Sequence, residues 1–399
     1  MTRFSKRGGE SRRNKPFKNR RFGNKKRGGN FSKKDNINIS RFINKGEDLE
    51  VAPYNPKHTF NDFVLDKRIK DNIAIKGYIS PSAIQDQSIP VILEGRDIVG
   101  IANTGTGKTG AFLIPLIDKV LKSPNEKVIV MVPTRELSNQ INQEFHSFSK
   151  NLNIRSVSIV GGESIQNQMR LLRNNPNFIF GTPGRIKDLI ERKALNLSRF
   201  QTVVLDEADR MLDMGFIHDM RKILDLMPAK KHTLFFSATL SKEIDKLIKD
   251  FLTDPVRIFV KTGDTSKTID QDVLRLEGKD KVEALIEVLN QPGFDKVIVF
   301  GRTKHGIDNL AKSLSKKGIT SALIHGNKSQ SQRQRALDSF KQDKVRVLLA
   351  TDVAARGIDI PKVSHVINYD IPATYDDYIH RIGRTGRAGE RGKALTFVN

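Results

Sequence analysis

The feature that most constrains the fold is a glycine-rich loop, ANTGTGKT at residues 102–109, between an apolar run and an amphipathic stretch. The run DIVGIA precedes the loop, and TGAFLIPLIDKVL follows it with the periodicity of a helix. A buried strand, a tight loop and a helix in this order direct backbone N–H groups and a helix N-terminus at an anion. Ala102 replaces the first glycine of the usual pattern and adds only one methyl group. The sequence therefore predicts a phosphate-binding loop within an α/β fold.

Short apolar runs alternate with amphipathic stretches from about residue 60 onward, as in KVIVMVPT, NFIFGTP, TVVLDEAD and TLFFSATL. This alternation predicts parallel sheets covered by helices on both faces. A polar stretch at 261–270 interrupts the series, which then resumes with KVIVFGRT and VRVLLATD. We therefore expect two α/β domains, at 56–260 and 271–399, joined by a linker at 261–270. The sequence ends directly after the last predicted strand, so we expect either that the chain is a fragment or that the second domain ends early and is less stable.

The N-terminal region has a different composition. Residues 1–34 contain fourteen Lys and Arg residues and one acidic residue, with two RGG triplets and four phenylalanines, and the whole chain carries a net charge of +24. Few apolar residues and many like charges predict a disordered basic tail over residues 1–55. Arginines that follow phosphates and aromatic rings that stack on bases indicate nucleic-acid binding. The alternatives are a solubilising tail or a segment that binds membrane phospholipid.

Several classes of protein are excluded by composition. The chain has no cysteine, which excludes a disulfide framework, a thiolate metal site and a cysteine nucleophile. No apolar run approaches the ~18 residues of a membrane span, and the basic N-terminus lacks the apolar core of a secretory signal. We expect a cytoplasmic protein.

A pair of carboxylates completes the predicted nucleotide site. Asp206 and Glu207 follow the apolar run TVVL, at the strand end where ligands of parallel sheets bind. Lys108 is expected to reach the β- and γ-phosphates, Thr109 and Asp206 to hold Mg²⁺, and Glu207 to polarise the attacking water. The alternative is that the acidic pair only marks a helix N-terminus.

Further motifs occur in a fixed order. They are GYISPSAIQ (77–85), PTREL (133–137), GG (161–162), TPGR (182–185), DEAD (206–209), SAT (237–239), IVFGRT (298–303), HG (325–326), QSQR (330–333), ATDVAARGID (350–359) and HRIGRTGR (380–387). With these motifs, residues 60–399 resemble the DEAD-box ATP-dependent RNA helicases, and most closely the bacterial RhlE-like members. Alanine at 102 agrees with that family's own phosphate loop. The resemblance implies two tandem RecA-like domains with parallel sheets.

The resemblance also implies roles at the nucleotide site. Gln85 would pair with the adenine edge and Phe60 would stack on the ring. Asp359 would hold the ribose, while Arg384 and Arg387 would act as arginine fingers from the second domain. The phosphate loop would contribute Ala102, Asn103, Thr104, Gly105, Thr106, Gly107, Lys108 and Thr109.

RNA contacts are implied in both domains. The resemblance assigns backbone contacts to Thr134, Arg135, Gly162, Thr182, Arg185, Gly326, Gln330, Arg333 and Thr351. It assigns coupling between the two sites to Asp209, Ser237, Thr239 and His380. Small residues expose N–H groups to phosphate and arginines supply forked donors, so little sequence specificity is expected.

The function implied is RNA-stimulated ATP hydrolysis that drives local, non-processive unwinding of RNA duplexes, by a core that is monomeric. An alternative of a different class is an RNA clamp or annealing protein in which ATP only times release, which the basic tail would favour. A DNA-directed translocase is disfavoured by the adenine-reading motif and by His380.

Overall fold

The computed structural model describes residues 38–46, 54–103, 105–260, 269–355, 360–386 and 392–398. The predicted tail up to residue 37 and the linker residues 261–268 lie outside the described residues. So do three predicted site residues, Thr104, Asp359 and Arg387.

The first domain is built on a seven-stranded, all-parallel sheet with the strand order β3-β4-β2-β5-β6-β1-β7. Its strands are β1 (Ile98–Ile101), β2 (Val128–Met131), β3 (Ser156–Ile159), β4 (Phe178–Gly181), β5 (Thr202–Leu205), β6 (His232–Ser237) and β7 (Val256–Phe259). Alternate residues of the central strands point to opposite faces: Val128 and Val130 join one apolar core, and Ile129 and Met131 join the other. Both faces are therefore covered, as the unbroken apolar runs predict.

Helices cover the two faces of this sheet. They are α1 (Lys67–Ile75), α2 (Ala83–Leu93), α3 (Lys108–Lys122), α4 (Arg135–Phe148), α5 (Ile165–Leu172), α6 (Pro183–Glu191), α7 (Ala208–Asp213), α8 (Ile217–Asp225) and α9 (Lys242–Phe251). Several of them begin at hydroxyl caps; the Thr134 side chain, for example, accepts a hydrogen bond from Leu137 N. Among the described residues, no helix is long and apolar enough to cross a membrane.

The second domain has a six-stranded parallel sheet with the order β10-β11-β9-β12-β13-β8. Its strands are β8 (Ile269–Arg275), β9 (Val297–Phe300), β10 (Ser321–Ile324), β11 (Val347–Ala350), β12 (His365–Asn368) and β13 (Gly392–Val398). Its helices are α10 (Lys281–Leu289), α11 (Lys304–Lys316), α12 (Gln330–Lys341), α13 (Asp352–Ala355) and α14 (Tyr375–Ile382). Two parallel α/β sheets confirm the predicted fold class.

Two predicted boundaries need correction. Residues 269–270, assigned to the linker, begin β8 because they pair with Gly392 and Lys393 of β13. Residues 38–46, assigned to a disordered tail, are ordered against the second domain. There they form a 3-10 turn (Ile39–Phe42), and Asn44 makes an antiparallel bridge with Gln271.

The docked segment 38–46 is held by apolar and polar contacts. Phe42 is fully buried, and its ring centroid lies 4.7 Å from that of Tyr378. The Arg41 guanidinium lies 3.8 Å from the centre of the Tyr375 ring, and Gly46 N donates to Asp270 Oδ1 over 2.8 Å. A buried aromatic ring stabilises this segment despite its basic sequence context.

Candidate nucleotide and RNA sites

The phosphate loop connects β1 to α3. Gly107 caps the helix with φ of 93°, and Gly105 has φ of 83°, so both occupy conformations that favour glycine. The Lys108 side chain is buried, and its Nζ donates to the carbonyl of Ala102 over 2.9 Å. The Lys108 ammonium therefore lies beside a backbone carbonyl at a helix N-terminus, and helix N-termini favour anions such as phosphate.

Ala102 occupies a buried position directly after β1. It is buried in the core, and its N–H donates to Ser237 O over 3.0 Å, which continues the pairing of β1 with β6. Further along, the Thr106 hydroxyl donates to Asn103 O over 2.9 Å. The loop thus keeps its shape through bonds that involve several of its predicted phosphate-binding residues.

Asp206 and Glu207 lie at the carboxyl end of β5, and both are buried. Burial raises the pKa of Asp206 to about 6; nearby Lys108 opposes the shift, while Glu207 and Asp209 add to it. Glu207 has φ of 51°, a left-handed conformation that is costly for a residue with a side chain. Its carboxylate pairs with Arg210, with an Nη1–Oε2 distance of 3.0 Å. Such strain and burial of charge occur at functional sites.

The residue types at the end of β5 and at the start of α3 fit a magnesium ion. The hydroxyl of Thr109 and the carboxylate of Asp206 are hard oxygen ligands, and Mg²⁺ takes few of them from protein and the rest from water and phosphate. A divalent cation would also favour the ionised form of a carboxylate whose pKa is raised by burial. Within the described ranges there is no group of three or more His, Cys, Asp or Glu side chains that would hold a metal without phosphate.

Asp209 connects the end of β5 with the end of β6. Its Oδ2 accepts hydrogen bonds from Ala238 N at 3.0 Å, Thr239 N at 2.9 Å and Thr239 Oγ1 at 3.2 Å. The Ser237 hydroxyl donates to Thr239 O over 2.8 Å. Three of the four predicted coupling residues therefore form one network. The fourth, His380, lies on α14 of the second domain.

Gln85 ties the first turn of α2 to the phosphate loop. Its side chain is 1% exposed; Oε1 accepts from Ser82 N at 3.0 Å, and Nε2 donates to Gly107 O at 3.1 Å. A Cβ at Gly107 or Gly110 would lie 2.6 or 2.8 Å from Nε2, so a side chain at either position would displace this amide from its observed place. Each amide atom retains the capacity for one more hydrogen bond, and pairing with a base edge stays a prediction.

A cleft of about 630 Å³ opens beside this part of the loop. Its aromatic lining is Tyr54 and Tyr78, next to Gln85 and Gly105–Gly107. Phe60 is instead buried in the core, 6.1 Å from the ring centroids of both Phe63 and Tyr78. Its position does not support the predicted stacking on a base, because its ring packs against Tyr78 and lies outside the cleft lining.

The RNA-contact residues predicted for the first domain lie at the carboxyl ends of β2, β3 and β4. Thr134 and Thr182 precede α4 and α6. The guanidinium of Arg135 lies against the glycine pair that follows β3, and a Cβ at Gly162 would lie 1.9 Å from its Nη1. Arg185 Nη1 donates to Glu163 O over 3.2 Å and to Gln168 over 3.0 Å. Three separate motifs thus meet at one edge of the sheet.

The RNA-contact residues predicted for the second domain follow β10 and β11. Gly326 is exposed after β10, and Thr351 follows β11. Both amide atoms of Gln330 are buried without a hydrogen-bond partner in the part of the chain that the structure describes. Arg333 is buried, and its Nη2 lies 3.0 Å from Oε1 of Glu136 in the first domain. Burial lowers the Arg333 pKa, and Glu136 partly opposes this shift. Contact of Arg333 with RNA stays a prediction.

Two arginines on or after α14 have different environments. Arg381 pairs with both carboxylate oxygens of Asp352, at 2.5 and 2.8 Å. Arg384 is 4% exposed, and its Nε donates to His380 O over 3.3 Å. His380, Arg381 and Arg384 line one small cavity, which places the predicted finger beside the predicted coupling histidine.

Comparison with known proteins decides the family. The family model of DEAD/DEAH box helicases matches residues 82–247, and that of the helicase conserved C-terminal domain matches 280–389. The chain is 45% identical over 342 residues to the DEAD-box ATP-dependent RNA helicase CshA of Bacillus licheniformis, covering 85% of this chain and 70% of that protein. The chain belongs to the DEAD-box family of ATP-dependent RNA helicases. The RhlE-like assignment is not confirmed.

Two further relatives of this DEAD-box protein support the assignment. CshA of Listeria monocytogenes is 44% identical over 341 residues, covering 85% of this chain and 66% of the relative. The structure of S. cerevisiae Dbp5 bound to RNA and ADP BeF3 matches with a TM-score of 0.76 and 31% identity, over 86% of this chain and 89% of Dbp5. The chain thus spans about two thirds of the length of the CshA proteins.

Some residues of this DEAD-box site were not predicted. Glu136, in PTREL, and Arg210, directly after DEAD, lie beside motif residues, and no sequence pattern of their own marks them as site residues. Tyr78 stands inside GYISPSAIQ. Tyr54 has no signal except an aromatic residue between two prolines, because its contacts are with residues far along the chain.

Proposed function

We propose that this protein is an RNA-stimulated ATPase that couples closure of its two domains to local, non-processive unwinding or remodelling of RNA. The observation that carries the proposal is the network at Asp209. One carboxylate of the DEAD sequence receives three hydrogen bonds from the segment after β6. A displacement at the hydrolysis site would therefore be transmitted directly to the segment after β6.

ATP hydrolysis is assigned to residues of the first domain. Lys108 would leave the Ala102 carbonyl to bind the β- and γ-phosphates, while Gln85 would bind the base edge. Glu207 would exchange its partner Arg210 for the attacking water and orient it for attack. Thr109 and Asp206 would hold a magnesium ion, which supplies positive charge to the phosphates.

The second domain completes the site. Arg384, together with Arg387, would stabilise charge on the transferring phosphoryl group, and Asp359 would bind the ribose. The ion pair between Glu136 and Arg333 supports coupling, because it joins the PTREL segment of the first domain to the helix after β10. Hydrolysis would thus require both domains together.

RNA is the proposed nucleic-acid partner, bound through its backbone. The residues that support this lie after β2, β3, β4, β10 and β11, at helix N-termini and beside glycines, and they include arginines that can donate to phosphate. We also infer a cytoplasmic location and a monomeric core, from the absence of cysteine and from the family resemblance.

The test is the steady-state ATPase rate with RNA, with DNA of the same sequence or with neither, using ATP and GTP in turn. We expect stimulation by RNA and a preference for ATP. Strand-displacement and annealing assays on one short duplex, with and without ATP, distinguish unwinding from clamping. Annealing without ATP-dependent displacement would contradict the unwinding function.

A further inference from the structure

We propose that Tyr54 forms an aromatic wall of the nucleotide-base cleft and stacks on the purine ring, the role that Phe60 was expected to fill. This proposal rests on the ATP site proposed above. It adds a base-binding residue that lies outside all of the recognised motifs and upstream of the first one.

Tyr54 lies at the wall of the cleft beside the phosphate loop. Its side chain is 42% exposed and lines the cleft together with Tyr78 and Gln85. The same cleft reaches Gly105–Gly107 of the phosphate loop. A nucleotide with its phosphates in that loop would place its base among these side chains.

The ring of Tyr54 is anchored through its hydroxyl group. Its hydroxyl donates to Asp86 Oδ2 over 2.5 Å. Asp86 also accepts hydrogen bonds from the N–H groups of Lys57 at 2.8 Å and His58 at 3.1 Å, and its Oδ1 lies 2.7 Å from His58 Nδ1. Asp86 is buried directly after Gln85 on α2. The ring of Tyr54 is therefore fixed to the same helix turn that carries the base-reading amide.

The second aromatic residue of the cleft, Tyr78, is also held in place. Tyr78 is supported by Phe60 and by Phe148, whose ring centroid lies 5.7 Å away, and its hydroxyl donates to Glu144. The hydroxyl groups of both tyrosines are bonded to protein carboxylates, so both rings are held in place at the cleft. Such preorganisation lowers the entropy lost on binding. Stacking depends little on base identity, so Tyr54 would add affinity for purines while Gln85 selects among them.

The experiment measures binding of ATP, GTP and inorganic tripolyphosphate to the full chain and to the Tyr54→Ala and Tyr54→Phe variants. Stacking on a base contributes an amount that corresponds to roughly 5- to 100-fold in affinity. We expect Tyr54→Ala to weaken both nucleotides by a factor in this range and to leave tripolyphosphate unchanged. Tyr54→Phe keeps the ring and should stay within about threefold of the parent protein.

Several results would overturn the role of Tyr54. They are unchanged nucleotide binding by Tyr54→Ala, an equal loss in the Phe and Ala variants, or a parallel loss of tripolyphosphate binding. The last two would assign Tyr54 only to holding Asp86. Failure of the unsubstituted protein to bind ATP would instead contradict the proposed function, so the two failures are distinguishable.

A second measurement remains informative if Tyr54→Ala does not fold. The chain contains no tryptophan, so the fluorescence of a Tyr54→Trp variant reports on this position alone. We expect ADP and ATP to quench this fluorescence and tripolyphosphate to leave it unchanged. Phe251→Trp is the control, because Phe251 packs in the core on the opposite face of the same sheet. Equal quenching in the two variants, or none in Tyr54→Trp at saturating ADP, would overturn the proposal.

Discussion

The two domains have the same strand order, yet among the described residues only the first has a glycine-rich loop after its first strand. The order β3-β4-β2-β5-β6-β1 of the first sheet corresponds to β10-β11-β9-β12-β13-β8 of the second. After β1 the chain forms the glycine-rich loop around Lys108. After β8 it makes a short turn at Glu277 and Gly278, with φ of 47° and 84°, and enters α10. The shared topology supplies strand ends, and the loops that follow decide which ends bind phosphate.

The same contrast appears in two carboxylates. Asp206 follows β5 and Asp370 follows β12, and each backbone N–H donates to the last residue of the neighbouring strand, Met131 or Phe300. Burial raises the pKa of Asp206 to about 6. Burial acts on Asp370 in the same direction, but Arg302 N and the Lys281 ammonium at 2.7 Å lower its pKa overall. Asp206 therefore has too few cationic neighbours to offset the effect of burial, whereas Asp370 pairs with Lys281 of its own domain.

The sheet edges differ as well. β7 covers β1 in the first domain with a parallel register of four residues. In the second domain the docked segment 38–46 lies along β8, with a bridge between Asn44 and Gln271. An exposed edge invites unwanted pairing, and each domain covers this edge with a different part of the chain.

The largest expected effect comes from a substitution that removes the proposed base of the first domain. Glu207→Gln should reduce kcat by at least about a thousandfold, because an amide cannot act as a base for the attacking water. ATP and RNA binding should persist, since phosphate and backbone contacts remain. Glu126→Gln is the control, because Glu126 accepts from Thr202 at the opposite end of β5. Near-normal turnover by Glu207→Gln would remove Glu207 from this role.

The second effect tests what the second domain contributes to that chemistry. Arg384→Lys should lower kcat by about a hundredfold or more without loss of ATP binding, because lysine lacks the planar fork that spans two oxygens. Arg381→Lys is the matched variant: it breaks the bidentate pair with Asp352, so it should lower the thermal midpoint instead. Thermal midpoint and kcat are measured on the same samples. A lowered midpoint with retained kcat in Arg384→Lys would make Arg384 structural.

Much of the first domain was predictable because its signals are local. The phosphate loop, the strand before Asp206 and the glycine pair beside Arg135 each occupy a few consecutive residues. The docked segment was not predictable, since Phe42 is buried by Ile269 and Tyr378, more than 220 residues away. The position of Tyr54 was not predictable for the same reason, because its hydroxyl donates to Asp86, 32 residues further along the chain. The composition of the surrounding segment predicted disorder at Phe42, because the residues that bury Phe42 lie far away in the sequence.

The third effect tests the covered edge of the second domain. Phe42→Ala should cost about 3 kcal/mol of docking free energy, because it empties a buried aromatic site. The amides of Asn44 and Gln271, which bond each other's carbonyls at 2.9 and 2.7 Å, should then exchange hydrogen faster by roughly a hundredfold. The adjacent Ile43→Ala is the control, since Ile43 is 52% exposed. Equal exchange in both variants would mean that Phe42 does not hold the segment.

The smallest effect sharpens the contrast between the two carboxylates, measured as thermal midpoints in buffer with EDTA and without nucleotide. Asp206→Asn should stabilise the protein at pH 7.5 by on the order of 1–2 kcal/mol, because it removes a buried charge. Asp370→Asn should destabilise it by about 1 kcal/mol, because Lys281 loses its partner.

The pH dependence separates the two cases further. The folded pKa of Asp206 lies above its ordinary value of 3.8, so its ionisation costs stability progressively between about pH 4 and 6 and fully above that range. The gain from Asp206→Asn should therefore vanish near pH 4. The folded pKa of Asp370 lies below 3.8, so its contribution is present above that value and is lost only as the pH falls through the folded pKa. The loss from Asp370→Asn should thus persist at pH 5, where the gain from Asp206→Asn has fallen to about half. If both substitutions lowered the midpoint at pH 7.5, the carboxylate after β5 would be structural, and the contrast between the domains would not extend to stability.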